Sequence, residues 1–278
     1  MKTRAFFLLF FAIFFTSSAY GGLDLDQEVI IIPDTHNAKP YIWNVSRNPK
    51  DYELRLEYDG AEKKNDIQVK FSIVSESELR ADDLHVFVTD EDLRFYRHIR
   101  PVLGNEGKYA FSLDAPLPGK YRVEVVFKKG EQWINLRKDI KIKGMRKPGI
   151  GDSKAGDEDY NVKVKFIPKK AYSEHVVTAL FELHYKGMPL RGLEKIEGFD
   201  MQVASWDEDM KEFIFATPKQ NLGGNEVAVS LVFMRPGRHA VFAEFKHKGV
   251  VRKINFVLYV FEEPREDSGL LFQLKPSD

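Results

Sequence analysis

From Tyr52 onward, apolar residues recur at every second position, and this period limits the available folds more than any other feature of the chain. Leu54 and Leu56 alternate with Arg55 and Glu57. Ile67, Val69, Phe71 and Ile73 alternate with Gln68, Lys70 and Ser72. Such spacing puts one side of a strand in a core and the other in water. The pattern continues through Leu84–Thr89, Phe95–Arg100, Tyr109-Phe111-Leu113 and Tyr121-Val123-Val125-Phe127, then Ile134-Leu136 and Ile140-Ile142. Turn signals separate the runs at Asp59-Gly60, Gly104-Asn105, Pro118-Gly119 and Lys129-Gly130. About seven short strands at this spacing, with no helical period among them, predict a sandwich or small barrel.

The programme then repeats. Val162 and Val164, Val176–Tyr185, Val227-Val229-Leu231-Phe233 and Ile254-Phe256-Leu258-Val260 form a second set. The closest correspondence runs from Pro118-Gly119-Lys120-Tyr121 to Phe127 and from Pro236-Gly237-Arg238-His239 to Phe245. It places Tyr121/His239, Val123/Val241, Val125/Ala243 and Phe127/Phe245 on one strand face. The expected fold class is therefore all-β, with two tandem immunoglobulin-like antiparallel β-sandwich domains after a signal peptide.

The boundaries follow composition. Lys2 and Arg4, the apolar run Phe6–Phe15 and small residues up to Gly21 read as a signal peptide over 1–21. The apolar run is too short to span a bilayer, and no stop-transfer segment follows, which disfavours an uncleaved anchor. A lead-in segment covers 22–50, with Val29–Ile32 as one strand stopped by Pro33 and with Tyr41 and Trp43 as anchors. Domain 1 covers 51–143 and domain 2 covers 160–261. The glycine-rich, charged stretch 144–159 is a linker, and 262–278 is a polar tail. No transmembrane segment is expected after signal cleavage.

Composition closes several routes to function. The chain of 278 residues has no cysteine, which removes disulfides, thiol catalysis and a lipid-modified cysteine. Loss of the leader takes Lys2 and Arg4 from 42 basic residues and nothing from 42 acidic ones, leaving a formal charge of −2. That balance offers nucleic acid or anionic lipid no general attraction. There is no Gly-x-Ser-x-Gly elbow and no His-Glu-x-x-His. Gly149-Ile150-Gly151 lacks the rest of a dinucleotide fingerprint. The acidic triplets Asp90-Glu91-Asp92 and Asp207-Glu208-Asp209 match no calcium loop, and both read as solvated turns.

What remains is the stretch Leu84–Pro101, LHVFVTDEDLRFYRHIRP. A strand carrying His85 turns on three acids and returns as a strand carrying His98 and Arg100. Phe199–Pro218 is its looser copy. Two imidazoles on neighbouring strands can converge from one sheet face, and neutral imidazole suits copper, zinc or nickel. His85 and His98 are the candidate metal ligands, with Asp92 a more remote oxygen donor. The bland alternative has Arg100 pairing with Asp90 or Glu91 and the histidines as buried, hydrogen-bonded residues. His239 takes a core-facing tyrosine position and reads as structural. His36, His175, His184 and His247 show no ligand spacing.

The order of a histidine strand, an acidic turn, His98-Ile99-Arg100-Pro101 and a late Pro-Gly-x-Tyr-x-Val strand resembles the YtkA-like secreted β-sandwich domains of bacteria. It is similar also to their relatives with histidine-rich strands, which are suspected of binding heavy metal. The first unit keeps His85, Asp92, His98, Pro101 and Pro118-Gly119, with Arg100 at the second histidine of the family's His-x-His-Pro. The second keeps Gly187-Met188-Pro189, Leu193, Asp207, Phe213, Pro218 and Pro236-Gly237, with Asp200, Phe215 and Thr217 at the histidine positions. The expectation is an exported, non-catalytic binding or scaffold protein of the bacterial cell envelope, periplasmic or secreted, carrying a degenerate metal motif and no cofactor, with an envelope protein as partner. The rival is a periplasmic copper- or zinc-binding protein using His85 and His98.

Overall fold

The computed structural model describes residues 45–58, 66–75, 79–104, 107–114, 117–130, 132–143, 159–219 and 222–262. The leader, the strand at Val29–Ile32, the anchors Tyr41 and Trp43, most of the linker and the tail beyond Glu262 lie outside them.

The described residues fold into two antiparallel β-sandwiches and contain no α-helix. The first sandwich is built from β1 (Val45–Arg47), β2 (Glu53–Tyr58), β3 (Asp66–Val74), β4 (His85–Asp90), β5 (Tyr96–Ile99), β6 (Val102–Leu103), β7 (Tyr109–Asp114), β8 (Gly119–Lys129) and β9 (Gln132–Ile142). One sheet runs β2-β3-β7-β6 and the other β1-β9-β8-β4-β5. In immunoglobulin lettering these are A-B-E-D and G-F-C-C′, the latter extended by a short parallel strand. Inward residues Val69, Phe71, Val86, Val88, Phe111, Val123, Val125 and Leu136 meet between the sheets. The alternation seen in the sequence is thus the alternation between this core and the outside.

The second sandwich repeats the plan with β10 (Tyr160–Ile167), β11 (Ala171–Tyr172), β12 (Val176–Tyr185), β13 (Met188–Pro189), β14 (Leu193–Glu194), β15 (Met201–Asp207), β16 (Phe213–Ala216), β17 (Glu226–Val232), β18 (Gly237–His247) and β19 (Val250–Phe261). Strand β12 is flanked by β10 and β17 in one sheet; the other runs β11-β19-β18-β15-β16. Its core gathers Phe181, Val203, Val229, Leu231, Val241, Ala243 and Phe245.

Two corners show how closely the plan is copied. At the start of β8 the Tyr121 hydroxyl donates to the Leu117 carbonyl at 2.5 Å, the tyrosine corner of immunoglobulin sandwiches. At the start of β18, His239 Nε2–H donates to the Arg235 carbonyl at 2.8 Å, the same four residues upstream. An imidazole does the work of a phenol, and His239 is structural as its position implied. Gly119 and Gly237 both hold positive φ, which a side chain would strain, and at Gly119 an added Cβ would also come within 3.3 Å of the Glu91 carboxylate.

Sequence expectations need correction at three points. Ile134-Leu136 and Ile140-Ile142 belong to one strand, β9; the exposed Lys138 sits in phase between them and interrupts the apolar pattern without ending the strand. β1, within the lead-in segment, is a strand of the first sandwich, parallel to β9 with Val45 opposite Trp133 and Arg47 opposite Asn135. The acidic turns are not simply solvated. Asp90 Oδ1 accepts the backbone N–H groups of Arg94 and Phe95 at 2.7 and 2.9 Å, and Asp207 Oδ1 accepts that of Glu212 at 2.7 Å. Both first acids are buried and hold the turn that joins C to C′.

The two sandwiches meet through the outer faces of their C-C′-F sheets. Phe87, Tyr96 and Val126 of the first pack against Ala204, Trp206, Phe213 and Phe242 of the second. Tyr96 stacks on Phe242 with centroids 4.7 Å apart, and Phe87 lies 5.2 Å from Phe213. Three arginines of the first sandwich grip the backbone of the second one's β15–β16 hairpin. Arg122 donates to the Met210 carbonyl, Arg137 to that of Lys211 at 3.1 Å and Arg47 to that of Phe213 at 3.4 Å.

Candidate functional site at the seam

Strand register decides which residues share the seam. Phe87 on β4 stands opposite His98 on β5, so His85, Phe87, His98 and Arg100 point from one face. Val86 and Val88 point the other way, into the core. The expected convergence is found: His85 Nδ1 and His98 Nε2 are 3.0 Å apart, in nearly parallel rings. Phe87 stacks on His98 at 4.3 Å, and Phe215 of the second sandwich lies 5.1 Å from His85.

The second sandwich supplies two carboxylates. Glu244 on β18 accepts from His98 Nδ1–H at 2.9 Å and holds Lys253 at 3.1 Å. Glu197 occupies a two-residue turn closed by Ile196 and Phe199, whose backbones bond in both directions. Both central residues, Glu197 and Gly198, have positive φ, the geometry of a type I′ hairpin turn, which a glycine eases. Glu197 Oε1 takes the Arg100 guanidinium; Oε2 accepts from Gln202 at 2.9 Å and lies 3.7 Å from His85 Nδ1. Arg100 also donates to the Leu84 carbonyl at 2.7 Å. Its acidic partner is thus Glu197, not Asp90 or Glu91. Those acids belong to the turn at the far end of the hairpin.

Glu244 accepts from His98 Nδ1–H, and His98 Nε2 and His85 Nδ1 share one hydrogen bond. His85 is lowered to about 3 by burial first, with the Arg100 cation and His98 adding to it, so it stays neutral at ordinary pH. Burial alone would raise Glu197 and Glu244. Hydrogen bonds from Arg100 and Gln202 outweigh it in the first, and those from His98 and Lys253 in the second, so both carboxyls fall below their usual values. The site therefore carries a neutral imidazole at His85 and two ionised carboxylates, with His98 bridging them.

One ligand atom each from His85, His98 and Glu197 lies within 4.8 Å of the others. A tetrahedral ion with bonds near 2.0–2.1 Å separates two imidazole nitrogens by about 3.3 Å, so small shifts would admit one. Glu244 on the far nitrogen of His98 is the carboxylate–histidine arrangement that orients a metal ligand. A pocket of about 240 Å³ opens here, lined by His85, Arg100, Glu197, Trp133, Phe199 and Phe215 among others. Asp92 does not join the cluster. It is exposed in the β4–β5 turn, and the length of β4, five residue steps or about 17 Å, separates its end of the hairpin from His85.

Register also corrects the equivalence drawn for the second copy. Ala204 faces Phe215 as Phe87 faces His98, and Gln202 faces Glu244 as His85 faces Val126. The residue matching His85 is therefore Gln202, not Asp200, while Phe215 and Thr217 do match His98 and Arg100. Sequence reasoning missed Glu197, Gln202 and Glu244. Glu244 carried a signal, being a carboxylate in phase with Phe242 within the otherwise apolar run Ala240–Phe245.

A family model described as a domain of unknown function, DUF8832, matches residues 154–262, the second sandwich. No curated protein matches the sequence. Among solved structures, the chain is similar to FdeC, a broadly conserved Escherichia coli adhesin, at 14% identity over 76% of this chain and 64% of that one, with a TM-score of 0.26. It is also similar to the Salmonella alpha-2-macroglobulin reacted with methylamine, at 12% identity over 75% of this chain and 15% of that one, with a TM-score of 0.26. The chain thus spans less than two thirds of either. Neither likeness, at such TM-scores, says what this chain binds.

Proposed function

We propose that the protein is an exported, non-catalytic binding module of the bacterial cell envelope whose seam holds one copper- or zinc-class ion on His85, His98 and Glu197. The observation that carries this reading is the cluster itself, two imidazoles with nitrogens 3.0 Å apart, a carboxylate beside them and Glu244 behind His98. Imidazole with one carboxylate is a donor set for zinc or copper rather than for calcium or magnesium. The ion would displace the proton shared by the two rings, and its remaining position would open to the pocket.

A second reading rests on the Arg100–Glu197 ion pair. With a guanidinium already on Glu197, the cluster is complete as a hydrogen-bonded joint that fixes one sandwich on the other, and the module is a scaffold. Metal analysis of the purified protein, then calorimetric titration with Cu(II) and Zn(II), separates the two. The metal reading requires one bound equivalent, lost in both His85→Ala and His98→Ala and weakened in Glu197→Gln. No stoichiometric binding leaves the scaffold reading; binding that survives both histidine variants places the ion elsewhere.

A further inference from the structure

Of the three residues that could ligate an ion at the seam, Glu197 already has a cation. Its Oε1 takes the Arg100 guanidinium, while Oε2 accepts from Gln202 at 2.9 Å and lies 3.7 Å from His85 Nδ1. The guanidinium is held in place from behind. Its Nη1 donates to the Leu84 carbonyl at 2.7 Å and to that of Asp82 at 3.2 Å, two points on the chain leading into β4. Arg100 is therefore tied to the main chain of the first sandwich, and Glu197 is brought to it on a tight turn of the second. A guanidinium stays charged at any working pH and cannot itself ligate. An ion bound to the two imidazoles and Glu197 would meet a fixed like charge across a single carboxylate.

We propose that Arg100 sets the affinity of the seam for its ion by competing for Glu197, which keeps the bound ion exchangeable instead of permanent. The inference rests on the metal reading above and deepens it by naming the residue that holds the affinity down. As folded, Glu197 serves Arg100 and Gln202. An incoming ion must either share the carboxylate with the guanidinium or take it away. Sharing leaves a poorer donor, because the charge of the carboxylate is already partly met by a charge-assisted hydrogen bond. Taking it leaves Arg100, still held by the Leu84 and Asp82 carbonyls, facing the ion without its counter-ion. Both outcomes weaken binding, and both vanish when the guanidinium is removed. Lys128, a second cation lining the pocket, serves as the comparison position.

The test is calorimetric titration of the full chain with Zn(II) alone and with Cu(II) alone, at one ionic strength. Arg100→Gln is expected to bind its one equivalent at least about tenfold more tightly than wild type and to release it more slowly to a chelator. Arg100→Lys, which keeps a charge beside Glu197, should stay near wild type. Lys128→Gln should change affinity less than about threefold. The sign is diagnostic, since a merely structural Arg100 would give weaker binding when its ties to Leu84 and Asp82 are lost. If wild type binds and Arg100→Gln binds no more tightly, or if Arg100→Lys or Lys128→Gln gains as much, the proposal is overturned and the metal reading stands. If neither wild type nor Arg100→Gln binds, the two fall together. Binding in Arg100→Gln alone, lost again when His85→Ala is added, supports the competition and shows that the guanidinium excludes the ion from the wild type. Circular dichroism of each variant confirms that it is folded.

Discussion

The outer faces of the two C-C′-F-G sheets share a backbone plan and differ in nearly every side chain. His85, Phe87, Thr89, Tyr96, His98 and Arg100 in the first correspond by register to Gln202, Ala204, Trp206, Phe213, Phe215 and Thr217 in the second. On strand F, Arg122, Glu124 and Val126 correspond to Ala240, Phe242 and Glu244. One face is rich in imidazole and guanidinium, the other in aromatic rings, and they fit against each other. Read alone, the second copy looks like a site from which the histidines were lost. In the folded chain it is the other half of the site, supplying Phe215 above the rings, Glu244 behind one and Glu197 beside the other. The two sandwiches share a plan yet act as complementary halves, each face completed by the other.

The sharpest way to break that comparison is at matched positions. Trp206→Ala removes a fully buried indole from the aromatic face and should cost about 3–5 kcal/mol in urea unfolding. The matched Thr89→Ala loses one hydroxyl bonded to the Phe95 carbonyl at 2.9 Å and should cost about 1 kcal/mol. Equal costs would mean that the two faces do not play different parts. Next, His98→Phe gives the first copy the residue of the second and should abolish stoichiometric copper or zinc binding in titration while the sandwich core stays folded. Glu244→Gln should be milder. It keeps both ring ligands and weakens their orientation, lowering affinity about 10- to 100-fold.

A last test is acid stability, whose effect is nil at neutral pH and grows only as the solution is acidified. A histidine in the unfolded chain titrates near 6.5, whereas His85 in place is lowered to about 3, by burial before all else. Between those values the unfolded chain binds a proton that the folded one refuses. Stability from this residue is therefore complete above about 6.5 and declines as the pH falls toward 3. His85→Gln, again borrowing the second copy's residue, should flatten that part of the pH dependence in denaturant melts at successive pH values. An unchanged slope would show that His85 is not buried against the second sandwich as described.

Much of the fold was legible because strand alternation is a local record of which side faces a core. Val123, Val125 and Phe127 announced their sheet, and Pro118-Gly119 and Pro236-Gly237 announced the repeat. Lys138 misled for the same reason: a charge in phase reads as a break, although a long side chain can leave the sheet and reach water. The His85–His98 pair was legible because both residues lie on one hairpin. Glu197 and Glu244 were not, since they are 112 and 146 residues in sequence from the histidines they serve, His85 and His98 respectively. No local pattern tells a strand which foreign face will cover it. The seam between sandwiches is set by shape and by charges that meet only after both cores have formed.

The arginines at the seam reach for carbonyl oxygens of Met210, Lys211 and Phe213, and so hold the course of the main chain; only Glu212, near Arg47, adds a side-chain carboxylate to that grip. Exposed positions at that hairpin tip, Asp209 and Lys211 among them, are therefore free to accept labels, epitopes or altered charges without loosening the joint. The tip is a natural place to attach a reporter when watching whether the two halves ever come apart.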